Sequence, residues 1–104
     1  NIYDIANEAV NSKDYPKISI FYIPDPRSAR RAVYTFINEL FRIKKYHGVG
    51  NKILIVLDEA QEFIPDKTSR EDYTYYSNLA VEMLLRQGRK YLIGGWIATQ
   101  RLAH

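Results

Sequence analysis

Residues 52–63 read KILIVLDEAQEF, and the fold turns on this stretch. Its aliphatic core, Ile53–Leu57, is far too short to cross a membrane. It suits a strand buried on both faces of a parallel sheet. The run ends in Asp58-Glu59. Ligands of open α/β sheets gather at the C-terminal ends of the strands. Two adjacent carboxylates there are costly unless they meet a cation or move a proton. A magnesium-bound nucleoside triphosphate answers that demand. Residues 86–101, RQGRKYLIGGWIATQR, add a basic cluster, a second apolar strand over 91–98, and a polar tip, Thr99-Gln100-Arg101.

On either side of this stretch the chain alternates helices and strands. Ile2–Asn11 reads as a short amphipathic helix ended by polar residues 11–14. Pro16 introduces a β-branched and aromatic run, 18–23, expected to be the first strand. Pro24-Asp25-Pro26 closes it, because two prolines in three residues prevent ladder pairing. Ser28 is the expected cap of the next helix, whose Ala29, Val33, Phe36, Ile37, Leu40 and Phe41 repeat at helical spacing. Gly48-Val49-Gly50-Asn51 stops that helix and feeds the strand Ile53–Leu57. After a helical turn and a loop over 65–69, Tyr76, Leu79, Ala80, Met83 and Leu84 mark a further helix that Gly88 ends. The order strand, helix, strand, helix, strand implies right-handed crossovers and a parallel sheet between helices.

Composition bounds the function. With 46% hydrophobic and 26% charged residues among 104, the chain is expected to be one folded domain. Absence of cysteine excludes disulfides and thiolate metal sites and fits an intracellular, cytoplasmic protein. No apolar run reaches membrane-spanning length, so no membrane partner is expected. His47 and His104 stand too far apart in sequence to suggest zinc. A net charge of +3 is too mild to indicate nucleic acid by itself. The charges are segregated, however. Arg27, Arg30 and Arg31 cluster early, Arg42, Lys44, Lys45 and Lys52 follow, and Arg86, Arg89 and Lys90 come late, while residues 58–72 hold six of the twelve acidic residues. Such clusters suit DNA, a neighbouring subunit's nucleotide, or simply solvated helix faces.

Pro24-Asp25, Asp58-Glu59 and Thr99-Gln100 are expected side by side at one sheet edge. Asp58 suits a magnesium ligand, directly or through water, or a helix cap. Glu59 suits a general base that polarises water, or a partner of the helix dipole. The Gln100 amide both donates and accepts, which suits positioning water or touching a terminal phosphate, or an ordinary strand end. Arg89 and Arg86 suit delivery of positive charge to a transferring phosphoryl group, in cis or across subunits, or stand as favourable cations at a helix C-terminus. Lys90 reads as a solvated charge and Asp25 as a turn residue. No GxxxxGK[ST] loop is present; Gly94-Gly95 falls inside a strand pattern, where it permits close packing.

An apolar strand ending in Asp58-Glu59-Ala60-Gln61, a helix ending in Arg-Gln-Gly-Arg-Lys-Tyr (86–91), and an apolar strand ending in Ala-Thr-Gln-Arg (98–101) together resemble the HerA/FtsK group of P-loop ATPases. HerA-type DNA-translocating helicases are the nearest likeness, over about residues 17–101. The resemblance implies part of a RecA-like, three-layer P-loop NTPase core, a parallel sheet flanked by helices. It implies Asp58 and Glu59 as Walker B magnesium and water-activating carboxylates, and Gln100 as the sensor glutamine that also meets nucleotide. Arg89, with Arg86 beside it, matches arginines that act across a ring interface. The implied cofactors are ATP and Mg2+. The implied partners are DNA, further copies in a hexameric ring, and, for HerA-type members, often a nuclease.

The Walker A lysine and its strand are missing from the 104 residues, and the chain opens on Asn1. It is therefore expected to be the C-terminal part of a nucleotide-binding core within a longer ATPase. Alone, it is expected not to hydrolyse ATP. It is also expected to self-associate through the edge of strand 91–98 that the Walker A strand covers in the family. Asp58-Glu59-Ala60-Gln61 also resembles motif II of superfamily-2 helicases, and a non-enzymatic α/β binding module with both carboxylates as caps is the third reading.

Overall fold

In a computed structural model, residues 1–14 and 18–99 are described. Three helices, α1 (Ile2–Asn11), α2 (Pro26–Tyr46) and α3 (Thr74–Gln87), accompany two strands, β1 (Ile53–Leu57) and β2 (Ile93–Ile97). Short 3-10 turns, Ala60–Glu62 and Gly88–Tyr91, follow β1 and α3. The strands pair in parallel, Ile53 opposite Ile93 through Leu57 opposite Ile97. The chain is thus a small α/β domain. No helix among the described residues is long and apolar enough to cross a membrane.

Local chemistry sets the helix ends. Asn1 caps α1, its side chain accepting from the Asp4 amide at 3.0 Å. Asp25, rather than the expected Ser28, caps α2. Its Oδ2 accepts from the Ser28 amide at 2.9 Å and from the Ser28 hydroxyl at 2.6 Å. Pro26 then occupies the first helical position, where a missing N–H costs nothing. Serine at 28 lies a turn too far along to be the cap itself, so it serves Asp25 instead.

The core is one cluster joining Ala6 and Val10 of α1, Ile37, Leu40, Phe41 and Ile43 of α2, Ala80, Val81 and Leu84 of α3, and Leu57 and Ile93 of the sheet. The buried stripe of α3 is rotated from the expected one. Thr74, Ser77, Ala80, Val81 and Leu84 face inward, while Leu79 is exposed. Ser77 tolerates burial because its hydroxyl donates to the Phe63 carbonyl at 2.7 Å. At Gly95 an added Cβ would stand 2.9 Å from a Leu84 methyl, so this glycine lets α3 approach the sheet.

The structure departs from the sequence pattern at two places. Residues 18–23 form no strand: among the described residues they find no ladder partner, and Ile18, Ile20 and Tyr22 stand nearly fully exposed while Phe21 packs on Phe36 with ring centroids 5.6 Å apart. A β-branched run favours extended backbone, yet a strand exists only where a neighbour takes its hydrogen bonds. The run Ile53–Leu57 is likewise buried on one face only. Ile53, Ile55 and Leu57 turn to the core, while Leu54 and Val56 are 63% and 57% exposed, and Trp96 on β2 is 64% exposed. The described residues make two layers, helices on one side and open sheet on the other.

A clamp ties α1 to the turn before β1. The Asn51 amide donates to the Val10 carbonyl at 2.8 Å, and its side chain donates to the Ser12 and Ala9 carbonyls at 2.8 and 3.2 Å. These are carbonyls that the C-terminus of a helix leaves unpaired. Lys44, almost completely buried, donates its ammonium to the carbonyls of Val49, at 2.6 Å, and Asn51. Burial pulls this ammonium below its ordinary pKa.

Candidate active site

Parallel pairing delivers the ends of β1 and β2 to one place. The Ala98 amide donates to the Leu57 carbonyl at 2.9 Å, and the Ala60 amide donates back to the Ala98 carbonyl at 3.0 Å. Asp58-Glu59 is thereby fixed beside Ala98-Thr99. The Asp58 side chain is exposed and its Oδ1 accepts from the Glu59 amide at 3.0 Å. Its carboxylate therefore caps locally while remaining open to solvent and to a cation.

Glu59 carries the least comfortable backbone of the site. At φ 56° and ψ 48° it is left-handed, a conformation that costs an L-residue about 1–2 kcal/mol. The cost is offset by what the kink achieves. It turns the chain sharply out of β1 into the 3-10 turn, where the Glu62 amide donates to the Glu59 carbonyl at 3.0 Å. Strain of this kind concentrates where a side chain has to be held in one direction.

The side chain is also held. Gln61 donates its amide to Glu59 Oε2 at 2.5 Å, and Thr99 donates its hydroxyl to Gln61 Oε1 at 2.7 Å. A hydrogen-bonded path thus runs from the tip of β2 to the Glu59 carboxylate. The sequence names Gln61 within the Asp58-Glu59-Ala60-Gln61 motif and Thr99 within the strand tip beside Asp58-Glu59, but it gives neither side chain a role. The signal available was positional: Gln61 stands two residues after Glu59, and Thr99 ends a strand expected beside it.

The other expected site residues divide. Gln100 lies outside the described residues. Arg86 sits on the outer side of α3 in an ion pair with Glu82 at 3.0 Å. Arg89 is exposed on the 3-10 turn that leads into β2. Both arginines therefore stand near the start of β2, whereas Asp58-Glu59 follows the end of β1. Five residues of strand separate the two levels by about 16 Å at roughly 3.3 Å per residue. Within one chain the structure does not bring them together.

The early basic cluster has structural work. Arg30, its side chain only 15% exposed, donates Nε to the Glu62 carbonyl at 2.6 Å and Nη2 to Glu62 Oε2 at 3.0 Å. Arg27 donates to the Glu71 carbonyl at 2.9 Å and lies over the Tyr73 ring at 4.4 Å. Together they fasten the loop after the candidate site onto the start of α2. Asp25 is held below its usual pKa first by the Ser28 hydroxyl, then by the Ser28 amide, with Arg27 and Arg30 adding to the effect. It is a capping residue.

Among the described residues no group of three or more His, Cys, Asp and Glu converges as a metal cage. A divalent ion would rest on Asp58, with other oxygens coming from water and phosphate. That is an ordinary arrangement for Mg2+, which keeps several waters and takes one or two carboxylates. The donor chemistry fits Mg2+, and the 104 residues carry no GxxxxGK[ST] phosphate-binding motif. Two grooves on the helix layer, one lined by Phe41, Tyr46, Met83 and Tyr91 and one by Tyr3, Tyr34, Asn38 and Arg42, include no strand-end residue. Comparison with family models, curated proteins and solved structures returned no match.

Proposed function

We propose that the chain is the Walker B and sensor-strand part of an ATP-hydrolysing, DNA-translocating motor of the HerA/FtsK type. The observation that carries this reading is the juxtaposition of Asp58-Glu59 and Thr99 at adjacent parallel strand ends, with Glu59 held in a left-handed backbone. The fold the proposal needs is a RecA-like P-loop core, in which a further layer covers Leu54, Val56 and Trp96 and a phosphate-binding loop comes from outside these 104 residues.

In that core Asp58 would hold Mg2+ through an oxygen, directly or by way of water, and Mg2+ would supply charge neutralisation at the phosphates. Glu59 accepts a proton from attacking water; its position directly after β1 and its exposed carboxylate suit a general base. Gln100, which follows Thr99 in sequence, orients water or a terminal phosphate. Arg89 and Arg86, too far from the carboxylates of their own chain, act on the nucleotide of a neighbouring copy in a hexameric ring. DNA passes through such a ring, with a nuclease as the further partner. Capping of the Glu59 amide by Asp58 is the one observation favouring a non-enzymatic module instead.

Kinetics of the motor assembled with its phosphate-binding segment test the proposal. Asp58→Asn is expected to abolish Mg2+-dependent turnover, and Glu59→Gln to bind ATP yet hydrolyse it at least about 100-fold more slowly. Full-rate hydrolysis by Glu59→Gln would remove Glu59 as the base. The 104 residues alone are expected to show no turnover, and steady hydrolysis by the purified monomer would contradict the assignment of a half-site.

A further inference from the structure

We propose that Gln61 is a positioning residue that couples Glu59 to the end of β2, with Thr99 as the other end of the coupling. The proposal rests on the reading of Glu59 as the base, and it adds how that base is governed. Three features carry it. Gln61 donates to Glu59 Oε2 at 2.5 Å, Thr99 donates to the opposite end of the same amide at 2.7 Å, and the Ala60 amide is pinned to the Ala98 carbonyl at 3.0 Å.

The directions of the two bonds matter. A primary amide donates through nitrogen and accepts through oxygen, so accepting from Thr99 polarises the N–H groups that Gln61 offers to Glu59. A glutamate at position 61 has no such donor. The backbone contact keeps Gln61 and Thr99 in register, because the turn that carries Gln61 begins at Ala60. Displacement of the β2 tip therefore acts on the Glu59 carboxylate through two side-chain bonds.

The proposed coupling implies two states, of which the structure shows the first. With β2 seated as described, the Gln61 amide occupies Glu59 Oε2 and fixes the side chain toward Gln61. When the strand tip shifts, Thr99 withdraws from Gln61, the amide loosens, and Oε2 becomes available to water. Thr99 immediately precedes Gln100, so whatever engages Gln100 pulls on the same tip. The coupling makes release of the base depend on occupancy at the end of the neighbouring strand.

Nuclear magnetic resonance on the isotope-labelled 104-residue chain tests the coupling without nucleotide. Thr99 is exposed, so Thr99→Val is expected to fold. In it the Gln61 side-chain amide protons are expected to exchange faster, because the bond they donate to Glu59 loses the polarising and positioning partner at the other end of the amide. The Glu59 carboxyl carbon is expected to shift with them. Thr99→Ser keeps the hydroxyl and is expected to restore both signals. Gln61→Ala is expected to lower the order parameter of the Glu59 side-chain methylene to that of a free surface glutamate. Unchanged Gln61 exchange in Thr99→Val, or an unchanged Glu59 order parameter in Gln61→Ala, overturns the coupling. In the assembled motor, Thr99→Val is expected to alter kcat with KM preserved, and Thr99→Ser to rescue it. If Glu59→Gln hydrolyses at full rate while the resonances behave as expected, the motor reading fails and the coupling stands; unmoved resonances with an inactive Glu59→Gln fail the coupling alone.

Discussion

Replacing Gly50 by alanine tests how α1 is held. Gly50 has φ +57°, and an added Cβ would lie 2.4 Å from the Val10 carbonyl oxygen and 2.6 Å from Val10 Cγ1. The torsion alone costs about 1–2 kcal/mol. The contact is worse, because the obstacle is backbone and cannot rotate away. Relief requires the C-terminus of α1 to lift, which gives up the three Asn51 hydrogen bonds to Val10, Ser12 and Ala9, about 1 kcal/mol each. Lifting also exposes Val10, now 1% accessible, at about 2 kcal/mol. The expected loss is therefore between about 3 and 7 kcal/mol, a large share of the roughly 5–15 kcal/mol that stabilises a domain.

Gly48→Ala is the comparison without a collision, at a torsion less accessible to an L-residue than that of Gly50. Its φ is +120°, but nothing lies within 4 Å of an added Cβ, so it bears torsional strain without a collision. Urea unfolding followed by circular dichroism, with hydrogen exchange at the Asn51 amide, reads both variants. Gly50→Ala is expected to lose more stability than Gly48→Ala by about 2 kcal/mol or more, the worth of the first hydrogen bonds to yield. Its Asn51 amide is expected to exchange faster as well. Equal losses in the two variants, or undiminished Asn51 protection in Gly50→Ala, would refute the docking argument.

Further expectations concern charge and exposed apolar surface. Because burial lowers the Lys44 pKa, the unfolded chain binds more protons than the folded one in the alkaline window between the two values, so this group makes stability rise with pH there. Lys44→Met is expected to remove that rise in urea titrations across the window and to cost about 2–3 kcal/mol at neutral pH, through two carbonyls left unpaired. For Arg30 and Glu62, a double-mutant cycle in thermal unfolding is expected to give a coupling of only about 0.5–1 kcal/mol, since Glu62 is half exposed; Arg30→Ala alone should cost about 2 kcal/mol through its backbone acceptor. Trp96→Lys is expected to reduce self-association in sedimentation velocity with little change in stability, because the ring is 64% exposed on the open sheet face. Unchanged association would free that face from blame.

Much of the architecture was legible in residue pattern. Ile53–Leu57 announced a strand, Pro24-Asp25-Pro26 a break, and Gly88 the end of α3, because each reflects a constraint within a few residues. The Asp58-Glu59 pair was legible as a candidate site for the same reason: unpaired carboxylates after an apolar run are conspicuous. The run 18–23 misled, since extended propensity is local whereas ladder pairing needs a neighbour. The stripe of α3 misled more mildly, because Ser77 and Thr74 entered the core once Phe63, Ser69 and Asp72 supplied hydrogen-bond partners.

Local pattern thus located α1, α2, α3, β1 and β2 to within a few residues and the strand end that bears the carboxylates, since spacing, proline and glycine act through the nearest few residues. It also promised a strand over 18–23 that does not form. Tertiary packing settled the rest. It left one sheet face open, turned Arg30 into a brace for the loop after the site, and placed the buried Lys44 on two carbonyls. It also put Glu59 in a left-handed kink joined through Gln61 to Thr99, 38 residues further along. No local rule encodes such partners, because they depend on which distant atoms the fold brings within 3 Å of one another.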